Sequence, residues 1–99
     1  MKNDTIASHF ELLADLLEIQ GANPFRIRAY RNGARTISST SESLDDMVRS
    51  EKDLTELTGI GKDLARQIIE IVTTGTHAAL EELRKQIPGG VLDMLRIQG

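Results

Sequence analysis

In this sequence, Leu57-Thr58-Gly59-Ile60-Gly61-Lys62 is the stretch whose residue types and spacing suit a chemical task, the capture of an anion. Two glycines flank one apolar residue, so the backbone can turn sharply with no Cβ in the way. Gly61 stands where the next helix, running from about Lys62, begins. Its N–H and the amides after it lack partners inside that helix and point outward, which makes a small positive cup for a phosphate oxygen. Gly59, Ile60 and Gly61 are expected to supply the N–H groups, and Lys62 and Arg66 to add charge. Ile60 is expected to turn inward and pin the bend to the core. Ala65 and Ile68 fall on the face that packs against the preceding helix, and the small Ala65 permits close approach.

Other chemistries fail on spacing. A nucleotide-binding P-loop needs a glycine where Glu56 stands and a Ser or Thr where Asp63 stands. A dinucleotide fingerprint needs a β-strand before its glycines, and no strand pattern precedes these. The absence of cysteine removes disulfides and thiolate zinc sites. Asp45 and Asp46 are adjacent, so they diverge on a helix and form no two-metal or acid–base pair. His9 and His77 are remote from each other in the chain and from carboxylates at metal spacing; both are expected at the surface or in caps.

The elements that must position the bend are all helical. Asp4 or Thr5 is expected to cap a first helix carrying Ile6, Phe10, Leu13 and Leu17, with Gly21 ending it. Asn23 caps a second helix with Pro24 at its first position, where a missing N–H costs nothing. Within that helix Ile27, Tyr30, Ala34 and Ile37 lie inside an arc of about 80° and face the core. Arg28, Arg31 and Arg35 gather on the opposite side, and Arg26 flanks the apolar stripe. Ser43 caps a short helix from Leu44 to Arg49. Asp53 to Leu57 reads as the short first helix of the bend, and its partner runs to Thr74, where Gly75 stops it. Thr76 is expected to cap a further helix through about Gln86, before Pro88-Gly89-Gly90 breaks the chain and Val91 starts another. The expected fold is all-α, a compact bundle of short antiparallel helices containing a helix-hairpin-helix.

At 99 residues this is one domain with a modest core of aliphatic side chains. Its net charge of −3 argues against coating nucleic acid by charge alone. The distribution says more than the sum. Arg26, Arg28, Arg31 and Arg35 lie in a stretch without acids, whereas Glu42, Asp45, Asp46, Glu51, Asp53 and Glu56 face only Arg49 and Lys52. That polarity suits one binding face and one repelled face. No apolar run approaches the ~20 residues of a membrane span. Met1 to Thr5 lack the apolar core of a signal peptide, so a cytoplasmic monomer with no membrane partner is expected.

Three blocks together carry a resemblance. They are Leu13 to Arg31 with Ala34-Arg35-Thr36-Ile37, the Gly59-Ile60-Gly61 bend, and Thr74-Gly75 followed by Leu80 to Arg84 and Pro88 to Ile97. In these blocks the chain resembles the amino-terminal helix-hairpin-helix domain of bacterial family X DNA polymerases, relatives of DNA polymerase beta. The resemblance implies a domain over residues 1–90 that binds the 5′-phosphate side of a gap in duplex DNA during repair. Residues 91–99 would then open a second, truncated helix-hairpin-helix, with the polymerase region and its magnesium ions outside this sequence. The basic pocket position is matched by Arg26 and the pocket tyrosine by Tyr30; Arg28, Arg31 and Arg35 are further candidates for DNA contact. The resemblance also implies a sodium or potassium ion on the backbone carbonyls of Thr55, Leu57 and Ile60, whose hard oxygens exclude zinc.

The family's polymerase beta branch also removes a 5′-deoxyribose phosphate through a lysine Schiff base. The position of that lysine is Gln67 here, and an amide nitrogen is not nucleophilic. Two further family lysines are matched by Asp63 and Ala79. Lyase chemistry is therefore expected to be lost. The alternatives are a residual lyase using Lys62, and a protein-interaction module, which the acidic charge favours and the intact glycine bend disfavours.

Overall fold

The computed structural model describes residues 1–75 and 77–86. Helix α1 spans Asn3–Ile19, α2 Pro24–Ser39, α3 Leu44–Arg49, α4 Lys62–Thr74 and α5 Ala78–Gln86; a single 3₁₀ turn, Leu54–Glu56, stands between α3 and α4. No strand occurs among the described residues. The Thr76 cap, the break at residues 88–90 and the start of a second hairpin lie outside the described residues.

Helix α1 is the centre of the bundle because its buried residues cover about half of its circumference, enough to meet several partners. Ile6, Phe10, Leu13, Ala14 and Leu16 are completely buried, and α2, α4 and α5 all pack on it. Each large side chain so buried stabilises the fold by about 1.5–3 kcal/mol. Phe10 stacks on Tyr30 of α2 at 5.8 Å between ring centroids and meets the His77 ring edge-on at 5.4 Å.

The helix ends follow local chemistry. Gly21, at φ +71°, closes α1 in a Schellman turn, with Ala22 N–H on the Leu17 carbonyl and Gly21 N–H on that of Glu18. Asn23 caps α2 by accepting from the Phe25 amide at 2.8 Å, and Ser43 caps α3 through the Asp46 amide. The expected cap of α1 by Asp4 or Thr5 is corrected. The helix begins at Asn3 after an N-cap Lys2 that makes no side-chain cap bond. Asn3 serves the loop between α2 and α3 instead. Its amide donates to the carbonyls of Thr40 and Glu42 and accepts from the Leu44 amide at 2.9 Å. Asp4 falls inside the first turn, where its charge favours the helix dipole.

Helix α5 is docked by α4, since the Glu70 carboxylate accepts from the Ala78 amide at 2.9 Å. The neighbouring Asp45 and Asp46 do diverge, the first buried and the second exposed. The Met1 ammonium, at 2.6 Å, and Arg49 hold the Asp45 carboxyl below the usual carboxylate range.

Candidate nucleic-acid interface

The segment before α4 is a sequence of tight turns. Asp53 accepts from the Thr55 hydroxyl and, at 3.0 Å, from the Thr55 amide; these bonds hold its carboxyl below its ordinary range. Asp53 thereby starts the 3₁₀ turn Leu54–Glu56, whose Leu54 is buried. The helix expected from Asp53 to Leu57 is thus corrected to one turn. The Asp53 cap and a Leu57 already extended at ψ 137° leave no room for a longer one.

Next comes a type II turn over residues 57–60. The Ile60 amide donates to the Leu57 carbonyl at 3.1 Å, and Gly59 takes φ +80° at the position that demands a left-handed residue. This corrects the expected trio of free amides. The Ile60 N–H is consumed in closing the turn, while its side chain, 3% exposed, anchors the bend in the core. The Leu57 carbonyl, one of three named for a cation with those of Thr55 and Ile60, spends one lone pair on that amide and keeps the other.

Gly61 is the N-cap of α4, in extended backbone at φ −86°, and no side-chain cap bond is made at this end among the described residues. The first bond into the helix is Ala65 N–H to the Gly61 carbonyl at 2.9 Å. The amides of Gly61, Lys62, Asp63 and Leu64 therefore have no partner within the helix and sit at its positive dipole end. Gly59, Gly61 and Lys62 are exposed, and a Cβ on Gly61 would meet nothing within 4 Å. The bend offers an open cup with an approach from solvent.

Helix α2 is the platform that holds the cup. A Cβ on Gly33 would lie 3.0 Å from Leu64 Cδ1 and 3.6 Å from Ile60 Cδ1, so glycine there lets the bend sit against the helix. One turn further, the Thr36 hydroxyl donates to the Thr58 carbonyl at 2.7 Å.

Behind the cup lies a buried polar network that residue spacing did not reveal. Gln67, 7% exposed, donates to the Tyr30 hydroxyl and to an Asp63 oxygen, both at 3.1 Å. Its Oε1 faces His77 Nε2 at 2.5 Å, which assigns the ring proton to Nε2. The other Asp63 oxygen accepts from Arg66 at 2.6 Å, so Asp63 is neutralised locally by Arg66. Arg26 places its guanidinium 5.9 Å from the centre of the Tyr30 ring.

Of the two histidines expected at the surface or in caps, His77 does stand at the cap of α5, its carbonyl accepting from the Glu81 amide at 3.0 Å, but neither ring is a surface group remote from the other. His77 is completely buried, and the His9 ring, itself half-buried, is 6.3 Å away between centroids. The fold of α1 against α5 brings them together, and no local pattern in the sequence encodes that pairing. Burial pushes the His77 pKa down, the His9 ring adds to this, and Glu70 and Asp63 oppose it. His77 Nδ1 has no hydrogen-bond partner among the described residues.

The arginines of α2 divide between two sides. Tyr30 reaches α4 through Gln67, with Arg26 over its ring, whereas Arg28, Arg31 and Arg35 line an open groove on the other side of the helix. Arg31 is clasped there by Glu18 at 2.9 Å, Asp15 at 3.0 Å and Glu11 at 3.3 Å. Glu18 first, and Asp15 after it, hold its guanidinium charged more firmly than usual against a modest cost of burial.

A family model described as a helix-hairpin-helix domain matches residues 1–77, which takes in both elements of the bend and its platform. The chain belongs to the helix-hairpin-helix domain family. Among curated relatives, the DNA polymerase/3′-5′ exonuclease PolX of Bacillus subtilis (strain 168) is 32% identical over 99 residues. The match covers 100% of this chain and 17% of PolX, so this helix-hairpin-helix chain spans about a sixth of that relative's length. In this domain a 3₁₀ turn stands ahead of the glycine bend, and α4 starts without a side-chain cap directly after it. No helix among the described residues is long and apolar enough to cross a membrane.

Proposed function

We propose that this domain grips the phosphate backbone of DNA without reading sequence, as the positioning module of a family X DNA polymerase in repair gap filling. One observation carries the reading: the exposed, uncapped start of α4 at Gly61, held out by a bend whose own amide at Ile60 is already used. Amides fixed at a helix N-terminus bind phosphate oxygens without reorganising. Lys62 adds charge at the rim, and Arg66 stands one turn on, steadying Asp63. A sodium or potassium ion on the carbonyls of Thr55, Leu57 and Ile60 would bridge the bend to the phosphate through hard oxygens. The resemblance to PolX supports a DNA substrate, and we assign the preferred form as a gapped duplex with a 5′-phosphate.

The domain has no lyase chemistry on this reading. Gln67 stands where a Schiff-base amine would be required, and all its polar atoms are committed to Tyr30, Asp63 and His77. Borohydride trapping on an abasic DNA is expected to give no adduct; an adduct lost in Lys62→Ala would restore a residual lyase.

Fluorescence anisotropy with gapped and intact duplexes tests the grip. A hold on two to four phosphates gives a log–log salt slope of about −2 to −4. Gly61→Val is expected to abolish binding while the fold survives, because φ at Gly61 is ordinary and its Cβ direction is open. Absence of binding by the unmodified chain at ~50 mM salt would end the proposal.

A further inference from the structure

Helix α2 has two working sides, defined by its contacts with the bend. Gly33 and Thr36 look toward the bend, against Leu64, Ile60 and Thr58. At 100° per residue Arg26 shares the side of Gly33, whereas Arg28, Arg31 and Arg35 stand about 140–160° away. These three line a groove of about 510 Å³ whose floor includes Ala22, Pro24 and Ile27.

The three arginines are not equivalent. Arg31 is spent on Glu11, Asp15 and Glu18, a row of acids along α1. Arg28 and Arg35 are exposed and have no carboxylate partner among the described residues; Arg28 lies over the exposed Phe25 ring at 5.9 Å. Seven residues separate them, about 10.5 Å along the helix.

We propose that this groove takes an unpaired strand of the same DNA whose backbone the bend holds. Arg28 and Arg35 meet its phosphates, and Ala22, Pro24 and Ile27 receive base faces. The proposal rests on the phosphate-grip reading and extends it to a second site on the opposite side of α2. A duplex presents phosphates and keeps its base faces stacked, so it would leave the apolar floor unused; an unpaired strand uses both. The acidic row on α1, only partly neutralised by Arg31, forms a negative border that confines the strand to the α2 side of the groove. Arg31 is a positioning residue for that border, not a strand contact.

The test uses the 99-residue chain, its Arg28→Ala/Arg35→Ala double variant and Arg31→Ala, with two 5′-phosphorylated DNAs. One has a gap of several unpaired nucleotides; the other is the same duplex with only a nick. Anisotropy titrations run from ~50 to ~200 mM salt. On the gapped DNA the double variant is expected to flatten the log–log slope by about 1.4, two contacts at about 0.7 each for single strands. On the nicked DNA it is expected to match the unmodified chain, and Arg31→Ala to keep the slope on both. Alanine favours helix and both arginines are exposed, so the variants keep the fold, which far-UV circular dichroism checks.

Equal losses on both DNAs would make the groove a duplex contact and overturn the proposal. So would unchanged binding to both while Gly61→Val still abolishes it, a result that leaves the bend's role standing. Capture of poly-glutamate by the unmodified chain and not by the double variant, with DNA binding untouched, would assign the groove to an acidic protein and equally overturn it. Failure of the unmodified chain to bind either DNA would remove the phosphate grip and this strand site together.

Discussion

Replacing Gln67 with leucine tests whether the interior behind the bend is held by polar bonds or by packing alone. Leucine nearly fills the volume of glutamine, so the change is mainly the loss of three polar contacts. Asp63 keeps Arg66 and loses little. His77 loses the acceptor for its Nε2 proton, and the residue is completely inaccessible to water, so an orphaned donor there costs about 1–3 kcal/mol. Tyr30, 4% exposed, loses a donor worth about 1 kcal/mol, and the added apolar burial returns a similar amount. The net loss is about 2 kcal/mol, a fall of about 8–16 °C in Tm for a domain of this size. Chemical denaturation of the single variants and of Gln67→Leu/His77→Leu supplies the decisive comparison. Removing both partners leaves no orphan of the Gln67–His77 pair, and the Tyr30 loss is common to Gln67→Leu and the double variant, so the double variant is expected to cost at least ~1 kcal/mol less than the sum of the singles. A Gln67→Leu loss under about 0.5 kcal/mol, or additive singles, would refute the account.

Asn23→Ala removes the acceptor for the Phe25 amide and is expected to cost about 1 kcal/mol in urea denaturation, with Pro24 still favouring the helix start. Glu51 holds φ +59° in the Schellman closure of α3, with Lys52 N–H on the Met47 carbonyl, so Glu51→Gly is expected to stabilise by about 0.5–1 kcal/mol; a loss would show that the strain is absent. Burial depresses the His77 pKa in the folded state, so the unfolded chain binds this proton more readily. The stability of the neutral form is complete above about pH 6.5 and is lost as pH falls from there toward the folded value, by at most ~1.4 kcal/mol per pH unit. Denaturation midpoints between pH 5 and 7 are expected to show this slope, and His77→Leu to flatten it.

What could be read from the sequence was local. The extent of α4, its stop at Gly75, the Asn23-Pro24 start of α2 and the Ser43 cap depend on neighbouring residues, and the structure has each of them. The glycine bend was legible for the same reason. Its amide inventory was not, because whether Ile60 N–H is free depends on the turn type, and the type II closure consumes it. Helix length failed at Leu54–Glu56, where three residues carry too little pattern to separate a 3₁₀ turn from an α-helix. The pairing of His77 with Gln67 and its approach to His9 bring together distant residues from three elements, and a sequence pattern has no term for that. Arg31 shows a subtler limit. Its position on the polar side of α2 was legible, but the acids that occupy it lie one helix earlier, at the Glu11, Asp15 and Glu18 spacing of a single face.

That occupation bears on how a chain of net charge −3 can hold a polyanion. A surface that worked by bulk charge would be opposed by the field of its own acids. On the proposed reading the holding groups at the bend are main-chain amides, whose dipoles are fixed by α4 and do not depend on net charge. Two acids of this segment are also accounted for. Asp63 is turned to Arg66 and Gln67, and Asp53 to Thr55, so neither carboxylate is committed to blocking the cup. The side-chain cations are then released from general attraction and serve to direct it. Arg26 is set against the Tyr30 ring on the side of the bend, and Arg28 and Arg35 stand across the helix, with Arg31 drawn off by α1. Because α2 is also the platform on which Ile60 and Leu64 rest, any strand on its far side and any phosphate in the cup are held in one rigid frame. On this proposal the acidity of the chain acts as a selector, discouraging contact except where the amides of the bend or the arginines Arg28 and Arg35 overcome it.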